Sequence, residues 1–261
     1  MTGFVDIHAH VLPGIDDGPG DLDGTLALIR AASESGTEVI AATPHLRSDF
    51  PDVHVEELAD RCDAVRRAIG RDGIPIRLVG GSEASIVWAV EASEEELTLA
   101  TYEQRGTDLL VETPPGPVLG LDRLLYELRL RGLRVTLAHP ERDVDFQHDV
   151  SPLKALVDQG VLIQINAGSL LGDSRRSGIR QLAERLCTEG LAHVLASDGH
   201  RASSWRPVTT LAQGVEAVTA LVGPERAEWM ASVTAQAIID GAELPPAPEI
   251  VHRRRSRLFR R

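Results

Sequence analysis

Residues 134–166 read RVTLAHPERDVDFQHDVSPLKALVDQGVLIQIN, and this stretch decides the fold. RVTLAH from Arg134 is a short, mostly apolar run that ends in His139 and Pro140. An amphipathic segment over Pro152–Gln159 follows, and LIQIN from Leu162 is a second strand-like run. Strand, helix and strand, with the strands nearly all apolar, is the pattern of a parallel sheet covered by helices.

The alternation extends in both directions. FVDIH from Phe4, EVIAAT from Glu38, IRLVGG from Ile76 and DLLVET from Asp108 precede the unit, and HVLAS from His193 follows it. Helical patterns occupy Asp21–Ser35, Val55–Ile69, Asp122–Arg131 and Ile179–Glu189, with Val208–Leu221 and Glu225–Ile239 after the last strand. Seven strands without a glycine-serine linker predict one closed α/β barrel. The rival, a doubly wound open sheet, lacks its mark: no G-x-G-x-x-G follows the first strand. GPGDLDG from Gly18 has glycines, but its acidic residues would repel a pyrophosphate.

Composition excludes several classes. The chain has 261 residues, 43% hydrophobic and 25% charged, as expected of a globular domain that buries a core without disulfides. No run of 18 apolar residues occurs and MTGFVDIHAH lacks the parts of a signal peptide, so the cytoplasm is the expected compartment. A net charge of -12 argues against a nucleic-acid partner. The exception is HRRRSRLFRR at the end, with six arginines between Arg253 and Arg261. It reads as a solvated, mobile tail, or as a contact for an acidic partner or an anionic membrane surface.

Two cysteines, Cys62 and Cys187, lie far apart in helical patterns. A cysteine phosphatase needs C-x5-R, but Ala68 and His193 stand six residues after them. No G-x-S-x-G supports a serine hydrolase.

Active sites of parallel α/β folds lie at the carboxyl ends of the strands. The first strand here ends in His8-Ala9-His10, the second in Thr43-Pro44-His45, and the third in Gly81-Ser82-Glu83. The fourth ends at Glu112, the fifth at His139-Pro140-Glu141-Arg142, and the seventh at Asp198-Gly199-His200. Only the sixth, at Asn166, lacks a strong ligand type. Each element alone is weak, since a lone Glu83 serves equally as a helix cap and the Asp16-Asp17 pair as a turn. Together they point to a metal site, and the mix of imidazole and carboxylate suits manganese, with iron, zinc or magnesium as substitutes. Of the two aspartates, Asp17 is favoured as a ligand folded over the mouth. His54, His148, His193 and His252 fall outside the strand ends and read as surface or core histidines.

DIHAHVLPGIDDGPGD, ATPH, GSE, AHPER, QINAGSLLG and ASDGH resemble the polymerase-and-histidinol-phosphatase (PHP) superfamily. They are most similar to its manganese-dependent bacterial tyrosine-protein phosphatases of capsule and exopolysaccharide loci, the CpsB/CapC type. The resemblance runs from Val5 to about Pro207. It implies a distorted (β/α)7 barrel of the TIM-like kind; the chain reads as a single catalytic unit over residues 1–245, followed by a basic tail over 246–261 that has no counterpart in the family. It further implies three metals: one held by His8, His10, Glu83 and Asp198, a second by Glu83, Glu112 and His139, and a third by Asp17, His45 and His200. The family's two phosphate-binding arginines map to Arg142 and Arg206. The implied substrate is a phosphotyrosine protein, a bacterial tyrosine kinase.

The residues make chemical sense of this by themselves. Clustered divalent cations lower the pKa of a bound water and stabilise attacking and leaving oxygens. Arginine offers a permanently charged planar fork for two phosphate oxygens. Two alternatives stay open: a phosphoesterase for a small molecule such as histidinol phosphate, and a metal- or phosphate-binding module without turnover. Asp143 stands where an aromatic residue is expected in the tyrosine-phosphatase branch.

Overall fold

The computed structural model describes residues 3–114, 116, 118–172 and 177–251. The arginine-rich end, with His252, lies outside them. Nine strands occur among the described residues: β1 (Phe4–Ala9), β2 (Thr37–Ala42), β3 (His45–Leu46), β4 (Arg77–Gly80), β5 (Glu83–Ser85), β6 (Asp108–Glu112), β7 (Arg134–Ala138), β8 (Leu162–Asn166) and β9 (Val194–Ala196). All the pairings between them are parallel. They form two sheets, in the orders β1-β2-β4 and β3-β5-β6-β7-β8-β9.

The seven expected strands are all present. The two further ones, β3 and β5, are continuations: each resumes just after β2 or β4 has ended, in the second sheet. Pro44 explains one break, because it has no N–H to give a ladder. The Thr43-Pro44 link that carries the chain from one sheet to the other is bonded to both, Thr43 N donating to Ala9 O at 2.9 Å and Glu83 N to Pro44 O at 3.0 Å. At the other margin His10 N donates to Gly199 O and Asp198 N to His8 O, both at 2.9 Å, so β1 lies beside the loop after β9.

The helices follow the apolar periodicity. Leu22–Glu34 begins where Asp21 accepts a hydrogen bond from Gly24 N, satisfying one of the free donors of the first turn. Leu58–Asp72 ends at Gly73, whose φ of 61° is the left-handed turn that glycine takes without strain. Ile86–Glu91 and Glu94–Ala100, two short helices after β5, escaped the sequence pattern. The second is fixed by a reciprocal cap between Ser93 and Glu96.

Burial divides into two layers. The larger cluster lies between sheet and helices, and includes Leu109, Val111, Val135, Leu137, Ile163 and Ile165. The smaller takes the opposite faces of the strands, with Leu110, Ala138, Leu162, Val194 and Ala196, and is joined by Ala235, Ile238 and Ile239 of the helix Thr234–Asp240. Strand side chains alternate, so these inner faces continue towards the carboxyl ends as Glu112, Gln164, Asn166 and Asp198. The faces that bury apolar side chains at one end carry the chemistry at the other.

Candidate functional site

The strand ends converge on one place. All nine expected ligands, His8, His10, Asp17, His45, Glu83, Glu112, His139, Asp198 and His200, fall into four overlapping groups, and within each group the ligand atoms lie within 4.8 Å of one another. These are His10, Asp17, His45 and His200; His8, His10 and Asp198; His8, Glu83 and His139; and His45, Glu83 and Glu112.

Glu83 is the hub. Its Oε2 lies 3.2 Å from His8 Nε2, 3.3 Å from His10 Nε2 and 2.9 Å from His45 Nδ1, while Oε1 is 2.7 Å from His139 Nε2. β3 and β5 explain the position, because their parallel register makes His45 and Glu83 direct Cα partners. Asp17 Oδ1 is 3.1 Å from His200 Nε2 and 3.6 Å from His45 Nε2. The neighbouring Asp16 faces the other way: its Oδ2 lies 2.7 Å from His10 Nδ1, and its Oδ1 accepts from Gly18 N at 2.9 Å. Asp17 presents a carboxylate to three imidazoles, whereas Asp16 orients one of them. Compared with the metal sets implied by resemblance, His45 reaches Glu83 and Glu112 as well as Asp17, and His8 reaches Glu83 and His139.

The charge balance is that of ligands in wait of cations. Burial pulls His10 down, but Asp16 and Glu83 outweigh it and hold the imidazole well above its ordinary pKa. Burial likewise opposes the charge on His45, yet Glu83 and Glu112 raise it to about 9. Burial would raise Glu83, but the positive His8 and His45 hold its carboxyl well below the usual range. Four side-chain atoms are buried here without a hydrogen-bond partner: His8 Nε2, His10 Nε2, Asp17 Oδ1 and Glu83 Oε2. Unpaired buried polar atoms are costly, and a shared bound cation satisfies such nitrogens and carboxylate oxygens together. The donor set therefore fits divalent metal ions.

Local backbone supports the placement. His139 and Asp198 sit in the left-handed region, at φ 34° and 51°, as does Arg206 at 47°. Such conformations cost about 1–3 kcal/mol in a non-glycine residue and persist where surrounding structure fixes them. Gly199 separates Asp198 from His200 because a Cβ there would stand 2.8 Å from Val208 Cα.

Above the ligands opens a cavity of about 420 Å³, lined by Asp17, His45, Glu112 and His139 and by Arg47, Arg142 and Arg206 among others. Arg142 Nη1 donates to Asp198 Oδ2 at 3.1 Å. Arg206 Nη1 lies 3.5 Å from Asp198 Oδ1 and 3.1 Å from His200 Nε2. Both expected arginines thus reach the ligand cluster.

Several residues escaped the sequence reading. Gln164 Oε1 meets His8 Nδ1 at 3.0 Å, Gln164 Nε2 donates to Asn166 Oδ1 at 2.8 Å, and Asn166 Nδ2 donates to Asp198 Oδ2 at 2.7 Å. The sixth strand, set aside for lack of a ligand, carries the amides that orient two of them. Their i, i+2 spacing in QIN was the available signal. Arg47 is another: its Nη1 donates to both Glu112 oxygens, at 2.8 and 3.0 Å. It stands two residues after His45, just past the end of β3. Glu141 is fully buried, and its Oε1 accepts from Asn166 N at 2.8 Å and Ser169 Oγ at 2.7 Å.

The cysteines play no part. Cys62 and Cys187 are free and buried, and burial pushes both thiols up to about 12. His54 and His148 are exposed, and His193 is part-buried away from the cluster.

Comparison with known proteins places the chain among relatives of known activity. The tyrosine-protein phosphatase YwqE of Bacillus subtilis (strain 168) is 31% identical over 198 residues, which is 76% of this chain and 77% of that one. The tyrosine-protein phosphatase CpsB of Streptococcus agalactiae serotype III (strain NEM316) is 22% identical over 240 residues, 90% of this chain and 98% of the relative. A crystal structure from work on YwqE of Bacillus subtilis and CpsB of Streptococcus pneumoniae, described there as metal-dependent tyrosine phosphatases, matches with a TM-score of 0.80. It is 28% identical, and the match covers 95% of this chain and 100% of that one. Residues 4–240 fit the model of the family described as capsular polysaccharide synthesis, CpsB/CapC, and the chain belongs to that family.

Proposed function

We propose that this chain is a metal-dependent tyrosine-protein phosphatase acting in the cytoplasm on phosphotyrosine in a bacterial tyrosine kinase of capsule or exopolysaccharide synthesis. The observation that carries it is the convergence of nine histidine, aspartate and glutamate side chains beneath a cavity that also carries Arg142 and Arg206. The named relatives are tyrosine-protein phosphatases, which supports phosphotyrosine over a small ester such as histidinol phosphate.

The metal is manganese, and three ions are proposed. His8, His10, Glu83 and Asp198 would hold one, Glu83, Glu112 and His139 a second, and Asp17, His45 and His200 a third. Bound there, the cations supply a water ionised near neutral pH and a clamp on the phosphoryl oxygens. The chain's own residues do the rest. Asp16 and Gln164 fix the ring orientations of His10 and His8 through the nitrogens that face away from Glu83. Arg142 and Arg206 bind the phosphoryl oxygens and neutralise charge that grows during transfer. Asp198 aims both guanidinium groups at the cavity floor.

We further read the two sheets as the halves of a distorted (β/α)7 barrel, with residues 1–245 as one catalytic unit and 246–261 as a basic tail. Support comes from the parallel pairings and from the backbone contacts of β1 with the loop after β9. The test of function is phosphate release from a phosphotyrosine peptide, together with metal analysis of the purified protein. Chelation should abolish release and manganese should restore it. Full activity in chelated, metal-free protein would end the proposal.

A further inference from the structure

Trp205 immediately precedes Arg206, which lines the cavity, and more than half of its surface, 54%, is exposed. It joins neither apolar cluster of the core. A lone exposed apolar side chain is ordinary, so what sets this one apart is its place, against a ligand histidine and a cavity arginine. The segment that presents it is fixed. His200 N donates to Arg206 O at 2.9 Å and Val208 N to Arg201 O at 3.0 Å, closing a loop on either side of it. Ser204 and Arg206, its two neighbours, both hold left-handed backbone, at φ 76° and 47°. The indole meets the His200 ring edge-on at 5.0 Å, and the Arg206 guanidinium lies 4.7 Å from its centroid.

Arg142, the second of the two arginines assigned to phosphate, is similarly accompanied. Val144, two residues after Arg142, lines the cavity and is 58% exposed. Each of these two arginines therefore has an exposed apolar residue within two positions of it in the chain. A cavity that offers guanidinium groups, with exposed apolar side chains next to two of them, matches a phosphate whose esterified alcohol is aromatic. With the dianion on the guanidinium groups, an aryl ring would extend outwards past Arg206, beside which the indole lies. Contact between two aromatic rings is favourable beyond the area it buries.

We propose that Trp205 is a specificity-determining residue that packs on the aryl ring of the substrate and selects aryl over alkyl phosphates. This rests on the reading of the site as a phosphatase. The test measures kcat and KM on a phosphotyrosine peptide and on the phosphoserine peptide of the same sequence, for manganese-loaded wild type, Trp205→Ala and Trp205→Phe. The aryl-to-alkyl ratio of kcat/KM should fall about 3- to 10-fold in Trp205→Ala, through KM of the aryl substrate, and Trp205→Phe should restore most of it. Metal content, measured for each variant, should match wild type. Equal losses on both substrates, or an unaltered ratio, would overturn the proposal.

Binding of phenylphosphonate and methylphosphonate, followed by calorimetry, keeps the two readings apart. Wild type should prefer the phenyl compound by a similar factor, and Trp205→Ala should lose the preference. Wild-type protein that keeps this preference but hydrolyses neither peptide would overturn the phosphatase reading and leave the role of Trp205 standing. No preference in wild type would overturn the role itself.

Discussion

Asp16 and Asp17 are adjacent in the chain, yet their carboxylates serve different ends. Asp16 Oδ2 holds His10 Nδ1 at 2.7 Å, while Asp17 Oδ1 is buried, has no hydrogen-bond partner and lies 3.1 Å from His200 Nε2. An outer partner that orients a ligand histidine is worth about 10–100-fold in metal affinity, whereas a lost ligand removes a position on the ion. Asp16→Asn should therefore keep the full number of metal ions and bind them about 10–100-fold more weakly. Asp17→Asn should lose one ion equivalent. Metal titration with elemental analysis checks both, and a reversed pattern would exchange the two roles. The arginines make a complementary prediction. Arg142→Ala and Arg206→Ala should retain their metal, since guanidinium does not coordinate cations, while turnover drops by about 10²–10³. Arg142→Lys should recover part of the rate, because it keeps the charge and loses the fork. Rates on a phosphotyrosine peptide, set beside metal content, separate this from a surface ion pair, which would leave turnover at the wild-type level.

At the scale of the element, strand β8 shows how far a sequence can be read. Ligand types at strand ends are visible because imidazole and carboxylate are rare in buried strands, so His8, His45, Glu112, His139 and Asp198 could be placed from alternation and run length. Gln164 and Asn166 were passed over because a neutral amide in a strand has no chemistry of its own until its partners are known. The same limit hid β3 and β5. A strand of two or three residues carries too little periodicity to see, and only the pairing of His45 with Glu83 reveals why the chain breaks after Ala42 and Gly80. The extent of the units was legible, because a helix of ten or more residues repeats its apolar face. Ser93 and Glu96 were a capping signal that went unused. The amide chain His8–Gln164–Asn166–Asp198 yields an element-scale prediction. Gln164→Leu keeps the volume but strips His8 Nδ1 and Asn166 Oδ1 of a partner. Metal affinity should weaken by about 10–100-fold with the fold intact. Isothermal titration with manganese, alongside circular dichroism, reads it, and wild-type affinity would show that the amides are mere filling.

For the whole molecule, stability couples to what the strand ends hold. Cations that bind the folded chain alone add about 2.7 kcal/mol when free metal stands a hundredfold above Kd. In a chain of this length that amounts to a rise of roughly 5–10 °C in Tm, which chelation should remove. Away from the metals, His193 links the acid limb of stability to the packing of the last strand. Its Nδ1 accepts from Ile163 N at 3.1 Å, its own N donates to Ile163 O at 2.9 Å, and its ring lies 6.3 Å from Trp229. Burial, and then the charge of Arg226, lower its pKa from 6.5 to about 4. The sign follows from proton counting. Between pH 4 and 6.5 the unfolded chain binds a proton at this position and the folded chain does not, so stability is full above about 6.5 and is lost as pH falls towards 4. Below about 4 both states are protonated and no further loss comes from this group. The full shift corresponds to about 3 kcal/mol, an upper bound because the side chain is only part-buried. His193→Gln retains an acceptor for Ile163 N and removes the titration. Urea melts at intervals from pH 7 to 4 should show wild type losing up to about 3 kcal/mol more than the variant, with the gap opening below pH 6.5. Carboxylates of the site titrate alike in both proteins and cancel in the difference. Parallel stability profiles would mean that the fold tolerates a charged imidazole beside Arg226.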